Sequence, residues 1–172
     1  MPCIREFFPY AQEKSMDNND ILKRLRYALN ITDFKVVELF KLVDYDIPKP
    51  ELESIFKTED EAGYVECADS LMDTFLEGLV ISRRGKKPEA AAGEARPRGK
   101  ARLNNNDILK RVKIALEMKD EDVIEVMGLA GIAISKSELS ALFRKPGHSN
   151  YRPCGDQFLR NFLSGLTAKY RV

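Results

Sequence analysis

The sequence contains no tryptophan, a single histidine and three cysteines, so it has few of the side chains that form metal sites or disulfide frameworks. The cysteines Cys3, Cys67 and Cys154 are odd in number and form no C-x-x-C pair, which argues against a disulfide framework or a zinc site. No segment approaches the roughly 18 apolar residues of a membrane span, and the first residues lack the apolar run of a secretory signal. We therefore expect a cytoplasmic protein that contacts no membrane and binds no metal.

The sequence motifs of several common enzyme classes are missing as well. The chain has no G-x-G-x-x-G, no Walker loop, no H-E-x-x-H and no G-x-S-x-G. His148 lacks the partners that would make it a general base, and a surface position is the simpler interpretation. Cys154 precedes a predicted helix, where a thiolate could be activated, but Cys67 holds the equivalent place in an internal repeat, which favours a small buried residue. We predict no catalytic residue and no cofactor, and we lean away from an enzyme.

What the sequence does contain is a long internal repeat. Asn18 to Arg84 aligns without a gap with Asn105 to Arg171, each residue matching the one 87 positions later, and more than a third of the aligned residues are identical. The period is too long for a short solenoid repeat. We therefore predict one structural unit that is present twice, with the two copies packed about a pseudo-twofold axis.

The repeat divides the chain into four parts: an N-terminal extension at 1–15, a first repeat at 16–84, a flexible basic linker at 85–104 and a second repeat at 105–172. Between Gly85 and Arg102 the linker has two prolines, three glycines and no large apolar residue. Because the repeat begins directly after Met16 and Asp17, we expect Met16 to be the biological start of the chain. The alternative is a genuine short tail that docks its aromatic residues on the body.

Each repeat has the apolar periodicity of four α-helices, and no segment alternates convincingly as a strand. In the first repeat we expect helices from Asp20 to Leu29, from Thr32 or Asp33 onward, from about Pro50 to Lys57, and from Asp69 to Arg83. Asn18 and Asn19 are available to cap the first helix. In the second repeat, Ser135-x-x-Glu138 indicates a capping box for the third helix, and Gly155 or Asp156 opens the fourth. The sequence thus predicts an all-α protein of two tandem four-helix repeats.

The middle of each repeat has the pattern of a helix, a tight turn and a second helix, as in a helix-turn-helix. In the second copy, Gly131 stands where the first of these helices would stop, and Ile132 and Ile134 would plug the corner. If this corner binds DNA, the second helix would meet the groove and its phosphates through Lys136, Ser137, Ser140, Arg144 and Lys145. Such corners also occur in all-α folds that bind no nucleic acid, so both interpretations remain open.

The stretch from Leu142 to Phe162 carries the densest set of polar and cationic groups. It brings cations to a loop that runs into a helix N-terminus at Gly155, where free backbone N–H groups would favour a phosphate or a carboxylate. The alternative is that Asp156 pairs locally with Arg160 while the other charges are solvated. The candidate anion-binding or nucleic-acid-binding residues are Lys136, Arg144, Lys145, His148, Asn150, Tyr151, Arg152, Gln157 and Arg160.

The equivalent loop of the first repeat, from Lys57 to Asp69, is acidic. Residues 18–84 of the first repeat include 14 acidic residues against nine basic ones, whereas the second repeat has eight against 11. A tyrosine, a cysteine and an aspartate are common to both loops, and we interpret them as structural. The residues that only the second loop has are the better functional candidates: Arg144, Lys145, His148 and Arg152.

Two stretches of the second repeat are long and distinctive: ELSALFRKPGH at Glu138 to His148 and NYRPCGDQFLRNFL at Asn150 to Leu163. Together with Asn19-Asp-Ile-Leu and Glu61-x-Gly-Tyr64, they resemble the YehS-like family of uncharacterised bacterial proteins. The resemblance covers essentially Met16 to Arg171. It implies a small soluble bacterial protein of two similar helical domains, and it implies no known activity, cofactor or catalytic residue.

Three functional hypotheses follow from these observations. The leading one is a non-enzymatic binding or regulatory protein that engages nucleic acid through the second repeat. An alternative is a protein-interaction or self-association module, such as a homodimer, in which the acidic first loop meets a basic surface. A third is a sensor or enzyme acting on a phosphorylated small molecule at Arg144, His148, Arg152 and Arg160. Salt-dependent affinity, concentration-dependent mass and stabilisation by a phosphate compound would distinguish them.

Overall fold

The computed structural model describes residues 16–86 and 102–171, and all of their regular structure is helical. The first repeat contributes α1 (Asn18–Ala28), α2 (Asp33–Lys41), α3 (Lys49–Ile55) and α4 (Asp69–Arg84). The second contributes α5 (Asn105–Ala115), α6 (Asp120–Leu129), α7 (Lys136–Leu142) and α8 (Asp156–Tyr170). The predicted all-α class, with four helices in each of two tandem repeats, is confirmed. The predicted extension at 1–15 and positions 87–101 of the predicted linker lie outside the described residues.

Three of the predicted helix starts are confirmed. The Ser135 hydroxyl accepts a hydrogen bond from the Glu138 backbone N–H at 3.2 Å, while the Glu138 carboxylate accepts one from the Ser135 N–H at 2.8 Å. This reciprocal capping box begins α7. Thr32 caps α2 by accepting from the Lys35 N–H at 3.3 Å, and Gly155 is the N-cap of α8.

The prediction that Asn18 or Asn19 caps α1 is wrong. Asp17 is the N-cap, and its carboxylate accepts a hydrogen bond from the Asp20 N–H at 2.7 Å. Asn104 has the same role at the start of α5. Because the preceding side chain satisfies the exposed N–H groups of the first turn, the asparagines inside the helix can bond to other parts of the repeat.

The two repeats interlock rather than pack as separate bundles. α1 packs mainly on α8 of the other repeat, and α5 packs in the same way on α4. Within each repeat, the most extensive contacts are those of α2 with α4 and of α6 with α8. These pairs are equivalent under the repeat, so the arrangement is pseudo-twofold, and the buried apolar residues of both halves form one core.

Two equivalent glycines allow the closest helix crossings. A Cβ atom on Gly78 of α4 would lie 2.1 Å from the backbone oxygen of Leu39 in α2. A Cβ atom on Gly165 of α8 would lie 2.0 Å from the backbone oxygen of Val126 in α6. No side chain fits at such separations, so both crossings require glycine.

The two interfaces between repeats are equivalent in packing but differ in charge. At the α4–α5 interface, the Arg111 guanidinium lies 2.7 Å from the Asp73 carboxylate and 3.4 Å from that of Glu77. The side chains of Arg111 and Asp73 are only 11% and 12% exposed. At the equivalent α1–α8 interface, Arg24 and Arg160 stand where the other interface has Arg111 and Asp73. An ion pair at one interface is therefore replaced by two cations at the other.

Candidate functional site

Asn106 holds the loop between α7 and α8 in place. Its side-chain amide donates to the backbone oxygens of Leu142 and Arg152 at 2.9 and 3.0 Å. Its side-chain oxygen accepts from the Cys154 N–H at 2.8 Å. One side chain of α5 thus joins the end of α7 to the returning part of the loop.

Asn19 makes the same three contacts in the first repeat. Its amide donates to the backbone oxygens of Ile55 and Val65, both at 2.9 Å, and its oxygen accepts from the Cys67 N–H at 2.8 Å. Asn19 is only 2% exposed. The second asparagine of each Asn-Asn-Asp motif is therefore a structural clamp.

The first asparagine of the motif supports the N-terminus of the last helix. The Asn105 amide donates to the Asp156 carboxylate at 2.7 Å and to the Cys154 backbone oxygen at 3.1 Å. The other oxygen of Asp156 accepts from the Met16 backbone N–H at 3.2 Å, which links the two repeats. The chain itself thus supplies a carboxylate at the N-terminus of α8, and this helix end is not part of the candidate surface. The equivalent contacts in the first repeat involve Asn18, Cys67, Asp69 and Leu103.

The loop after α7 has the defined shape that its sequence predicts. A turn closes where the His148 N–H donates to the Lys145 backbone oxygen at 3.1 Å, and Gly147 inside it has a φ of 89°. Such a positive φ favours glycine. The chain then returns to α7, where the Arg152 N–H donates to the Ala141 backbone oxygen at 3.0 Å. Side chains from both sides of the loop are therefore presented next to the end of α7.

The cations of this loop are exposed. The side chains of Arg144 and Lys145 form no hydrogen bond or ion pair with any residue that the structure describes. Arg152 is also exposed and lies near Glu138. Hydrogen bonds from Ser135 lower the pKa of the Glu138 carboxyl group, and the charge of Arg152 adds to this effect.

Lys136, at the start of α7, is engaged with α6. Its ammonium group forms an ion pair with the Glu121 carboxylate, and both side chains are well exposed. The hydrogen bond to Glu121, and then its charge, raise the pKa of Lys136. Lys136 would therefore have to leave an ion pair to meet a ligand.

His148, Asn150 and Tyr151 shape the loop. The exposed His148 ring accepts a hydrogen bond at Nδ1 from the Asn150 backbone N–H at 3.1 Å, which leaves Nε2 as its donor. The Tyr151 N–H donates to the His148 backbone oxygen at 2.9 Å, and the Tyr151 side chain is partly buried. Within the described residues, no carboxylate is hydrogen-bonded to the imidazole as the orienting partner of a general base.

Gln157 and Arg160 lie on α8, beyond the loop. The Gln157 amide donates to Asn161 at 3.1 Å and its oxygen accepts from Arg160 at 3.0 Å. Arg160 is directed toward the first repeat, where it lines a cleft of about 470 Å³ whose charge is mixed. The other residues that line this cleft are Asp17, Asn19, Asp20, Lys23, Arg24, Thr58, Glu59, Asp60 and Tyr64. Sequence reasoning missed this cleft because its walls come from both repeats.

The corner between α6 and α7 differs from the predicted tight turn. The connection runs from Ala130 to Ser135, which is longer than the turn of about three to four residues in a helix-turn-helix. Gly131, with a φ of 80°, ends α6, and Ile132 and Ile134 pack partly buried on the core, as predicted. The next helix then begins only after its Ser135 cap, which lengthens the corner.

Comparison with known proteins identifies the duplication. The family described as "Protein of unknown function (DUF1456)" matches residues 18–85 and again residues 105–171, one match for each repeat. The chain belongs to this family. "Uncharacterized protein YehS" of Escherichia coli (strain K12) is 36% identical over 157 residues, which cover 91% of this chain and 98% of the relative. The predicted resemblance to a duplicated YehS-like family is confirmed. No solved structure shows a significant match to the chain.

In this DUF1456 chain, the two α3–α4 and α7–α8 loops share their path but not their charge. The Val65 N–H donates to the Ser54 backbone oxygen at 3.2 Å, which is the equivalent of the return from Arg152 to α7. Lys57, which stands where the second repeat has Arg144, bends back and donates to the Ala62 backbone oxygen at 2.8 Å. Of these two loops, only the one in the second copy presents exposed cations without partners among the described residues.

The cysteines of this DUF1456 chain fit the structural interpretation. Both Cys67 and Cys154 are buried, and burial, aided by nearby carboxylates, raises the pKa of each thiol to about 12. A protonated thiol is a poor nucleophile and a poor metal ligand. Within residues 16–86 and 102–171, no group of three or more metal-ligating side chains is close enough to hold an ion. None of the helices in these ranges is both long and apolar enough to cross a membrane.

Proposed function

We propose that this protein is a non-enzymatic nucleic-acid-binding protein. Its binding site is the cationic loop surface, which we define as Arg144, Lys145, His148 and Arg152. The observation that supports this function is that Arg144 and Lys145 are exposed without an ion pair in the described part of the chain. Such cations can meet phosphates without first breaking an interaction, and phosphate contacts dominate the affinity of proteins for nucleic acids.

The charge difference between the repeats supports the same function. The second repeat is net positive and the first is net negative, and the loop equivalent to the cationic loop surface is acidic in the first repeat. A polyanion is therefore attracted by one end of the molecule and repelled by the other. This polarity would orient a nucleic acid on the second repeat.

The side chains of the cationic loop surface suit a phosphodiester backbone. The guanidinium groups of Arg144 and Arg152 can each donate two parallel hydrogen bonds to phosphate oxygens, and Lys145 adds a point charge. Ser137 and Ser140 lie exposed on α7 and are the neutral donors that could reach base edges. We place this activity in the cytoplasm, where a bacterial cell keeps its nucleic acid.

The test is the salt dependence of binding. Fluorescence anisotropy with labelled duplex DNA, single-stranded DNA and single-stranded RNA should show affinity that falls steeply as salt rises. Each phosphate contact contributes roughly 0.9 to the slope of log affinity against log salt for a duplex, and roughly 0.7 for a single strand. Arg144→Ala and Lys145→Ala should each lower the slope by about one contact and weaken binding several-fold.

Lys41→Ala is the matched control. Lys41 is an exposed lysine of α2 in the first repeat, and its side chain has no partner within the described residues. The variant removes one positive charge from the first repeat, outside the cationic loop surface, and should leave the slope unchanged. The proposal would be contradicted if the affinity did not depend on salt, or if Lys41→Ala lowered the slope as much as Arg144→Ala or Lys145→Ala. A mass that rises with concentration, without any nucleic-acid binding, would instead support the self-association alternative.

A further inference from the structure

A second cleft of the molecule lies at the junction of the two repeats. It has a volume of about 430 Å³ and is formed by the end of α4, one face of α5 with the residues after it, and the residue that follows α7. The residues that line it are Arg84, Lys110, Lys113, Ile114, Glu117, Met118 and Phe143.

The rim of this cleft is cationic. Lys110 is exposed, and its side chain has no partner in the part of the chain that the structure describes. Arg84 lies 3.9 Å from Glu117, a loose contact between two exposed side chains. Lys113 pairs with Asp120, which lies outside the cleft. Asp120 balances the charge of Lys113 and Glu117 lies near Arg84, so Lys110 contributes the positive charge that favours an anionic group.

The floor of the cleft is apolar. Met118 is buried, and Ile114 and Phe143 are partly buried. Lys113 lies 4.5 Å from the centre of the Phe143 ring. An apolar floor beneath a cationic rim fits a ligand in which an anionic group is attached to a planar or apolar body.

The equivalent place in the first repeat is filled by the chain itself. Tyr27 stands there instead of Ile114, and Arg171 stands instead of Arg84. The Arg171 guanidinium lies 3.9 Å from the centre of the Tyr27 ring and donates to the Tyr27 backbone oxygen at 3.3 Å. Replacement of the tyrosine ring by isoleucine removes this stack from the second copy and leaves the cleft open.

The lysine of the rim differs in the same way. Lys23 is the equivalent of Lys110, and its ammonium group donates to the Lys57 backbone oxygen at 2.7 Å. Lys110 makes no such bond within the described residues. The first repeat therefore satisfies both its aromatic face and its lysine internally, while the second presents an apolar floor and a cation to a ligand.

We propose that this cleft binds a phosphate monoester attached to a planar ring, as in a nucleotide. Arg84 and Lys110 hold the phosphate, and the ring lies over Met118 and Phe143. Two sources share this chemistry: a free mononucleotide and the phosphorylated end of a nucleic-acid strand. The second source rests on the proposed function, because Phe143 directly precedes Arg144 and so connects the cleft to the cationic loop surface.

The experiment is a calorimetric titration of the full chain with adenosine 5′-monophosphate, inorganic phosphate, and an oligonucleotide with and without a 5′-phosphate. We expect the mononucleotide to bind more tightly than phosphate alone, or the 5′-phosphate to strengthen oligonucleotide binding about tenfold. Lys110→Ala should remove either effect, whereas Lys41→Ala should remove neither. The inference is overturned if no probe shows a dependence on Lys110.

A second variant tests the shape of the cleft. Ile114→Tyr restores the residue of the first repeat, so that Arg84 can stack on the ring as Arg171 does on Tyr27. We expect it to abolish binding in the cleft with the thermal midpoint unchanged or raised, and retained binding would contradict the assignment. Arg144→Ala and Lys145→Ala separate this inference from the proposed function, because they should weaken oligonucleotide binding without affecting the mononucleotide.

Discussion

The two clamp asparagines provide a paired test of how the repeat is held together. Asn19→Ala and Asn106→Ala each remove three hydrogen bonds of the same kind, since each amide donates to two backbone oxygens and accepts from one N–H. The two sites differ in burial, because Asn19 is 2% exposed whereas Asn106 is only partly buried. Comparing the two variants therefore separates the free energy that the hydrogen bonds contribute from the cost of leaving buried polar groups without a partner.

The expected magnitudes follow from that difference. A hydrogen bond contributes about 1 kcal/mol net, so three lost bonds cost about 3 kcal/mol. At Asn106, water can reach the exposed Arg152 backbone, which lowers the expected loss to about 2 kcal/mol. At Asn19, an alanine leaves buried groups of Ile55 and Cys67 unsatisfied, which raises the loss to about 4 kcal/mol.

The free energy of unfolding is measured by urea denaturation followed by circular dichroism at about 222 nm. A single transition is expected because the two repeats share one core. Asn150→Ala is the control, because this exposed side chain has no hydrogen bond among the described residues and its loss should change stability by less than about 0.5 kcal/mol. Equal losses at the two clamps, or losses no greater than that of the control, would refute the reasoning.

Three further predictions concern the core and the interface. Gly78→Ala and Gly165→Ala should each destabilise the fold by about 3 kcal/mol or more in the same denaturation assay, because the new methyl group meets backbone of the neighbouring helix; a neutral result would contradict the observed crossings. Arg111→Met should cost about 3 to 5 kcal/mol because it strands a buried carboxylate, and part of the loss should disappear when Asp73→Leu is added. In a Cys3→Ser variant, Cys67 and Cys154 should resist alkylation at pH 8 in the folded protein and react at once in urea. The reason is that thiols with a pKa of about 12 stay protonated at that pH. Fast labelling of the folded chain would be inconsistent with the burial of the two thiols.

The sequence predicted the helices well because apolar spacing and capping residues are local signals. The Ser135 capping box and the Thr32 cap depend on residues three positions apart, and both are present in the structure. The error at Asn18 and Asn19 has a different origin. Their amides bond to residues between 36 and 51 positions away, and no local pattern distinguishes such a tertiary role from a cap.

The packing of the repeats shows the same limit of sequence reasoning. Apolar stripes indicate which face of α1 is buried, but they do not indicate whether α4 or α8 covers it. The structure pairs α1 of the first repeat with α8 of the second. This pairing places Arg160 beside residues of the first repeat rather than with the loop cations. A site that joins two repeats can therefore be predicted only when the pairing of their helices is known.

The interlocked packing explains why the two copies can differ where they do. Because α1 is covered by α8 and α5 by α4, each repeat completes the core of the other, and both must keep the clamps and the crossing glycines. The loops after α3 and α7 are held through backbone atoms and the buried cysteines, so their exposed side chains carry none of that packing. A change such as Lys57 to Arg144 or Tyr27 to Ile114 between the copies alters the surface without altering the framework. The duplicated fold thus provides one end at which Tyr27 and Lys57 are engaged in internal contacts and another that presents exposed cations beside a second cleft.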